Sequence, residues 1–191
     1  MNGMKYKEYR NEIPINTVKQ WSRQLIEEAH WEPVGWSGEA REPYRHWACY
    51  PNYDGILKNV WQGISPSLEE DGFHLTPERV IMNLYSHGDS AWLHRDSDDP
   101  KDYTVILFLN ESWNINWGGD FVLVEEEEIL AAFASTPGKF VLFQSNLLHA
   151  CRPVSREAPY PRFGVAFQCK HDNNLEGLRK APVSAISSPL R

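Results

Sequence analysis

Arg79-Val80-Ile81-Met82-Asn83-Leu84-Tyr85 is the first of five short apolar or alternating runs that decide how this chain folds. The others are Thr104-Val105-Ile106-Leu107-Phe108-Leu109, Phe121-Val122-Leu123-Val124, Lys139-Phe140-Val141-Leu142-Phe143 and Phe163-Gly164-Val165-Ala166-Phe167. Each is shorter than a buried helix needs and is closed by turn-forming residues, and a series of such runs reads as an all-β sandwich or barrel. The pattern predicts a mainly β fold with flanking helices, a cupin-like jelly roll with its core over residues 79–170.

Upstream of that core, Ile15, Val18, Trp21, Leu25, Ile26 and Ala29 recur at helical spacing, and Pro14 suits a first turn, so one amphipathic helix is expected across residues 13–30. The aromatic, Pro- and Gly-containing stretch from Trp31 through Trp61 reads as loops with short strands, plus a helix around Ile56–Ile64. Glu125–Phe133 is expected to hold a short helical turn. One domain is expected over residues 1–170, with the helix and loops of 13–78 flanking its core, and the polar segment 171–191 reads as a mobile tail.

A net charge of −7 and a pI near 5.5 leave no basic stripe to neutralise phosphates, so no nucleic-acid partner is expected. Cys49, Cys151 and Cys169 form no CxxC pair, and their odd number argues against a disulfide framework and for a reducing cytoplasm. Residues 1–12 are polar, and no run of about 18 apolar residues follows, so neither an export signal nor a membrane span is expected.

Leu93-His94-Arg95-Asp96 follows the first run and its turn at His87-Gly88-Asp89. In extended backbone, residues two apart share a face, so His94 and Asp96 can present an imidazole and a carboxylate to one point. His149 comes after Phe140–Phe143 and the turn Gln144-Ser145-Asn146. Two imidazoles and one carboxylate are the facial ligand set of non-haem iron(II), with positions left open for reactants. An HxD string arises often by chance. Its weight here comes from conjunction with the strand and glycine turn before it, the β-like runs after it, and the arginine that follows His149. Zinc accepts the same ligands, but has no redox chemistry and would need a separate general base for hydrolysis.

That arginine is Arg162, at the start of the last run, where a guanidinium can take a carboxylate in two parallel charge-assisted bonds. Arg152 and Arg156 are its rivals, but they lie among Pro153, Pro159 and Pro161 on a turn-rich segment where exposure is the default. Tyr85, and Asn83 two residues before it, lie on the first run, where each is either a partner of the same ligand or a packing residue.

With these residues in view, the chain resembles the prolyl-4-hydroxylase-like branch of the iron(II)/2-oxoglutarate oxygenases, from about Val80 to Gln168. The resemblance rests on Tyr85 and Gly88 ahead of His94-Arg95-Asp96; Val105–Asn110; Trp117-Gly118-Gly119-Asp120-Phe121; Pro137–Phe143 before His149; and Arg162. It implies a double-stranded β-helix, iron(II) on His94, Asp96 and His149, and 2-oxoglutarate bound at Arg162. It also implies O2-driven oxidation of a C–H bond with release of succinate and CO2. Two positions depart from the pattern: Leu107 stands where some relatives carry a tyrosine, and Gly164 where many carry a hydroxyl residue.

Trp92, Arg95, Asp98, Trp113 and Trp117 flank the metal loop or the loop after Asn110 and are the candidate substrate contacts; taken singly, each aromatic reads better as packing. Together they suit a small polar or cationic molecule such as an amino acid, an amino sugar or a natural-product intermediate. A prolyl-type peptide is the alternative substrate, and a non-catalytic β-sandwich binding module is the reading from another class.

Overall fold

Alternation gives each central strand two apolar faces, and both must be covered. A computed structural model, describing residues 4–34 and 45–171, shows how they are. The elements run β1 (Tyr6–Tyr9), α1 (Ile15–Glu28), β2 (Glu32–Val34), β3 (His46–Cys49), α2 (Gly55–Glu70), β4 (Leu75–Tyr85) and β5 (Tyr103–Phe108). They continue with β6 (Phe121–Glu125), β7 (Glu128–Phe133), β8 (Phe140–Gln144), β9 (Leu148–Cys151) and β10 (Arg162–His171). A seven-stranded antiparallel sheet has the order β1-β8-β5-β10-β4-β3-β2, and a three-stranded one the order β7-β6-β9. The chain is mostly β and folds as a double-stranded β-helix.

On the outer face of the large sheet, Val80 and Met82 of β4, Val105 and Leu107 of β5, Phe140 and Leu142 of β8 and Phe163, Val165 and Phe167 of β10 meet the apolar faces of α1 and α2. On the inner face Phe108, Val141 and Phe143 meet Phe121, Leu123 and Phe133 of the small sheet. Burying each such side chain is worth about 1.5–3 kcal/mol, so the two cores together fix the strand register. A one-residue slip would exchange the faces.

The loop that carries His94 and Asp96 lies along the edge of the small sheet. Ala91 to Asp96 runs antiparallel beside β9: the Ala91 amide donates to the Cys151 carbonyl, His94 and His149 exchange both backbone bonds (3.1 and 3.0 Å), and the Asp96 amide donates to the Ser145 carbonyl.

Several expectations need correction. Glu125–Phe133 holds no helical turn: Glu126 (φ 50°) and Glu127 (φ 67°) form a tight two-residue turn joining β6 to β7. Glutamate favours helix, but Ile129, Ala131 and Phe133 alternate and pair with β6, and that pairing prevails. β1 has no counterpart in the sequence reading, because its Lys and Glu mask two tyrosines: Tyr9 stacks on Phe140 at 4.5 Å and Tyr6 packs edge-on to Phe133. His149 sits on its own short strand, β9. Helix α2 continues past Pro66 because Leu68 extends the buried stripe of Leu57, Val60, Trp61 and Ile64. The expected helix at 13–30 is present as α1. All three cysteines are free and buried. Among the described residues no helix is long and apolar enough to cross a membrane. Residues 35–44 of the expected loop region and the tail beyond His171 lie outside the described residues.

Left-handed backbone at two consecutive glutamates costs about 1–2 kcal/mol per residue, which Asn-Gly would relieve. The double substitution Glu126→Asn, Glu127→Gly should raise the unfolding free energy by about 1–2 kcal/mol, read as a higher urea midpoint at unchanged slope.

Candidate active site

His94 and His149 are directly opposed across the antiparallel pair, so their side chains leave on the same face; the ring centroids are 4.2 Å apart. Asp96, two residues along, adds its carboxylate to that face. Its Oδ1 lies 3.7 Å from His94 Nε2 and its Oδ2 3.6 Å from His149 Nε2, and one ligand atom from each residue falls within 4.8 Å of the others.

Second partners aim these atoms. Nδ1 of His94 donates to the Trp92 carbonyl at 2.7 Å and Nδ1 of His149 to the Leu147 carbonyl at 2.9 Å. A carbonyl only accepts, so both protons sit on Nδ1 and both Nε2 lone pairs turn toward Asp96. Thr104 Oγ1 donates to Asp96 Oδ2 at 2.7 Å and lies 2.9 Å from Ser145 Oγ. Both hydroxyls are buried, so Asp96 is held by a dry network. Burial lowers the His149 pKa to about 4, with His94 adding to the effect and Asp96 opposing it; the imidazole is therefore neutral, the form a metal needs.

The three residues lie in a cavity of about 430 Å³. Its wall comes from the inner face of the large sheet, where register pairs Arg162 with Tyr85, Gly164 with Asn83 and Ala166 with Ile81 and Ile106. Arg162 is 3% exposed, with its guanidinium 5.2 Å from the Tyr85 ring and 5.1 Å from the Phe108 ring. Among the described residues it has no carboxylate within 4 Å. Its rivals Arg152 and Arg156 are exposed and do not line the cavity. Burial pushes the Tyr85 hydroxyl pKa far up, so it is a neutral hydrogen-bonding group.

Of the candidate substrate contacts, Trp92 lines the cavity, as does its neighbour Leu93, and both are exposed. Arg95 donates to the Asn146 carbonyl and Asp98 is exposed; neither lines the cavity. Trp113 and Trp117 also lie outside it, packed with Tyr160 in an aromatic cluster. Leu107 faces the helices, so the β5 residue at the cavity is Ile106. Three contributors carried no sequence signal: Thr104, Ser135 beside Arg162, and His46. The last lines the cavity, stacks on Tyr85 at 4.9 Å and hydrogen-bonds Asn83. Burial, reinforced by His94, lowers its pKa to about 4.

Comparison with known proteins bears on this site. The sequence model of the 2OG-Fe(II) oxygenase superfamily matches residues 80–168, which include all three clustered residues and Arg162. No curated protein sequence matches the chain. Among solved structures, a Pseudomonas putida prolyl-4-hydroxylase is similar at 20% identity, covering 87% of this chain and 92% of that one (TM-score 0.61). A Trichoplax adhaerens prolyl hydroxylase, in complex with a hypoxia-inducible-factor peptide, aligns at 16% identity over 95% and 89% of the two chains (TM-score 0.67). HygX from Streptomyces hygroscopicus, with nickel and 2-oxoglutarate bound, aligns at 12% over 88% and 83% (TM-score 0.64). At these identities the structures share the fold.

Because His46 and His149 titrate near 4 when folded and near 6.5 when unfolded, the unfolded chain binds more protons in between. Stability of the metal-free protein should be full above about pH 6.5 and fall as the pH drops toward 4. The expected loss exceeds about 1.4 kcal/mol, one pKa unit's worth, and urea titrations at the two pH values measure it.

Proposed function

We propose, from the premise that this chain is a 2OG-Fe(II) oxygenase by its match over residues 80–168, that His94, Asp96 and His149 hold its iron and Arg162 anchors its 2-oxoglutarate. Its reaction is oxidation, by default hydroxylation, of an unactivated C–H bond in a small polar molecule such as an amino acid, an amino sugar or a natural-product intermediate. Iron(II), 2-oxoglutarate and O2 are the reactants of the family: together they couple decarboxylation of 2-oxoglutarate to succinate and CO2 with a two-electron oxidation of substrate.

The observation that carries this reading is Arg162, a buried cation with no carboxylate within 4 Å among the described residues, lining the same cavity as two imidazoles and the carboxylate of Asp96. An unpaired buried charge costs several kcal/mol, so such a guanidinium is kept for an anion that arrives with a ligand. The distal carboxylate of 2-oxoglutarate meets its fork in two parallel bonds. The donor set suits iron(II): both histidines offer Nε2, and the hydroxyl of Thr104, itself partnered by that of Ser145, holds Asp96 ready.

A cavity of about 430 Å³ lies in the range of small-ligand sites, roughly 300–1,000 Å³. Apart from the proposed ligands and Arg162, its lining is apolar or neutral: Ile81, Ile106, Phe121 and Val34 beside His46, Tyr50, Asn83, Tyr85 and Trp92. Asp96 is the only carboxylate among the described lining residues, which favours a neutral reacting group over a cationic one. A second reading, a prolyl-type peptide, is favoured by exposed Tyr50, Trp92 and Leu93 at the cavity, a surface on which an extended chain can lie. Succinate release with panels of free amino acids and amino sugars against proline-containing peptides separates the two.

Asp96→Ala should abolish stoichiometric iron(II) binding in equilibrium dialysis while the fold persists; full iron loading would remove Asp96 from the ligand set. Thr104→Val should weaken iron(II) by about 10–100-fold, as for other partners of metal ligands. Arg162→Ala should retain iron yet weaken 2-oxoglutarate by about 100-fold, since truncating a buried charge pair costs about 2–5 kcal/mol. Anaerobic titration of the iron(II) protein, followed by visible absorbance, measures that loss.

A further inference from the structure

The guanidinium of Arg162 is fixed at one atom. Its Nε donates to Ser135 Oγ at 2.8 Å, and the same hydroxyl donates to the Gly119 carbonyl at 3.0 Å. A hydroxyl has a single proton. With that proton committed to Gly119, the oxygen offers its lone pairs to Nε, and the contact runs in one direction only. Ser135 is 0% exposed, so no water competes for either bond.

The surroundings make Ser135 the only polar side chain in a position to do this from the described structure. On β10 the next residue on the same face as Arg162 is Gly164, which has no side chain. The remaining contacts are steric or aromatic: Tyr85 and Phe108 lie under the guanidinium, and a Cβ added at Gly119 would come within 3.1 Å of Arg162 Cδ. The two rings lie 5.2 and 5.1 Å from the guanidinium carbon but offer no directional partner to its N–H groups; the bond at Nε supplies one. It also occupies the donor least useful for a parallel two-bond contact between the two Nη groups and a carboxylate.

We infer that Ser135 is a positioning residue for the cosubstrate: by holding Nε, it sets the rotation of Arg162 so that both Nη groups meet the distal carboxylate of 2-oxoglutarate. This rests on the assignment of Arg162 as the anchor. It also accounts for how the anchor is oriented with glycine at 164.

The test compares two ligands that share an oxo-acid end. 2-Oxopentanoate has the chain of 2-oxoglutarate without its distal carboxylate. Both are titrated anaerobically into full-length iron(II) protein, wild type, Ser135→Ala, Ser135→Cys and Arg162→Ala, with iron affinity measured in parallel. Ser135→Ala should lose about 10-fold in affinity for 2-oxoglutarate, as expected for a bond to a charged group, and less than about twofold for 2-oxopentanoate, at unchanged iron affinity. Ser135→Cys keeps nearly the same volume with a much poorer acceptor; it should show the same selective loss and serves if the alanine variant folds poorly. Equal loss for both ligands, or a loss of iron, makes Ser135 a structural residue and overturns the inference. Unchanged 2-oxoglutarate affinity in the Ser135 variants, with a loss in Arg162→Ala, overturns it while the anchor stands. Unchanged affinity in Arg162→Ala brings down the anchor assignment itself, and the Ser135 role with it.

Discussion

The two backbone hydrogen bonds exchanged by His94 and His149 are the constraint on which the site depends. They join residues far apart in the chain at one point of an antiparallel ladder, and a directly opposed pair places both side chains on one face. The pleat then brings Asp96 to that face without further instruction. Because the small sheet is three-stranded, the loop that carries His94 and Asp96 is what completes its edge. The site and the sheet are therefore one object, and the loop cannot leave without breaking the ladder that holds His149.

The large sheet supplies the complementary half by dividing its residues strictly between faces. On β10, Phe163 and Phe167 lie among the helices, while Arg162, Gly164 and Ala166 look into the cavity; β4 and β5 follow the same alternation. Packing α1 and α2 against one face thus fixes which residues reach the chemistry on the other. A cation such as Arg162 is tolerated deep in an apolar fold because a ladder it cannot abandon holds it there. Tyr85 and Phe108 also offer it ring faces.

Much of this was legible in the sequence, for reasons that can be named. The strands at 79–85, 104–109, 121–124, 139–143 and 163–167 announced themselves through dense β-branched and aromatic content, and His94 and Asp96 through a two-residue spacing whose meaning is local. Hidden features needed either masked periodicity or long-range register. Tyr6–Tyr9 looked polar because charged residues sit between its tyrosines, and Glu126–Glu127 looked helical because glutamate rarely turns a hairpin. Thr104, Ser135 and His46 are ordinary residue types whose roles exist only once distant strands are aligned. Which face Leu107 and Ile106 take is likewise a matter of register: Leu107 lies among the helices and Ile106 at the cavity.

The three clustered side chains differ sharply in their access to water: His94 is 50% exposed, Asp96 10% and His149 4%. Two arms of the cluster are rigid and sheltered, and the third stands at the doorway. Such asymmetry gives the cluster an inner and an outer side. Asp96 and His149 lie on the sheltered side of the cluster, and His94 is the arm that solvent reaches. The hold on that outermost ring is a single hydrogen bond to a main-chain carbonyl, that of Trp92, so the most open corner of the cluster is set by backbone and not by another side chain.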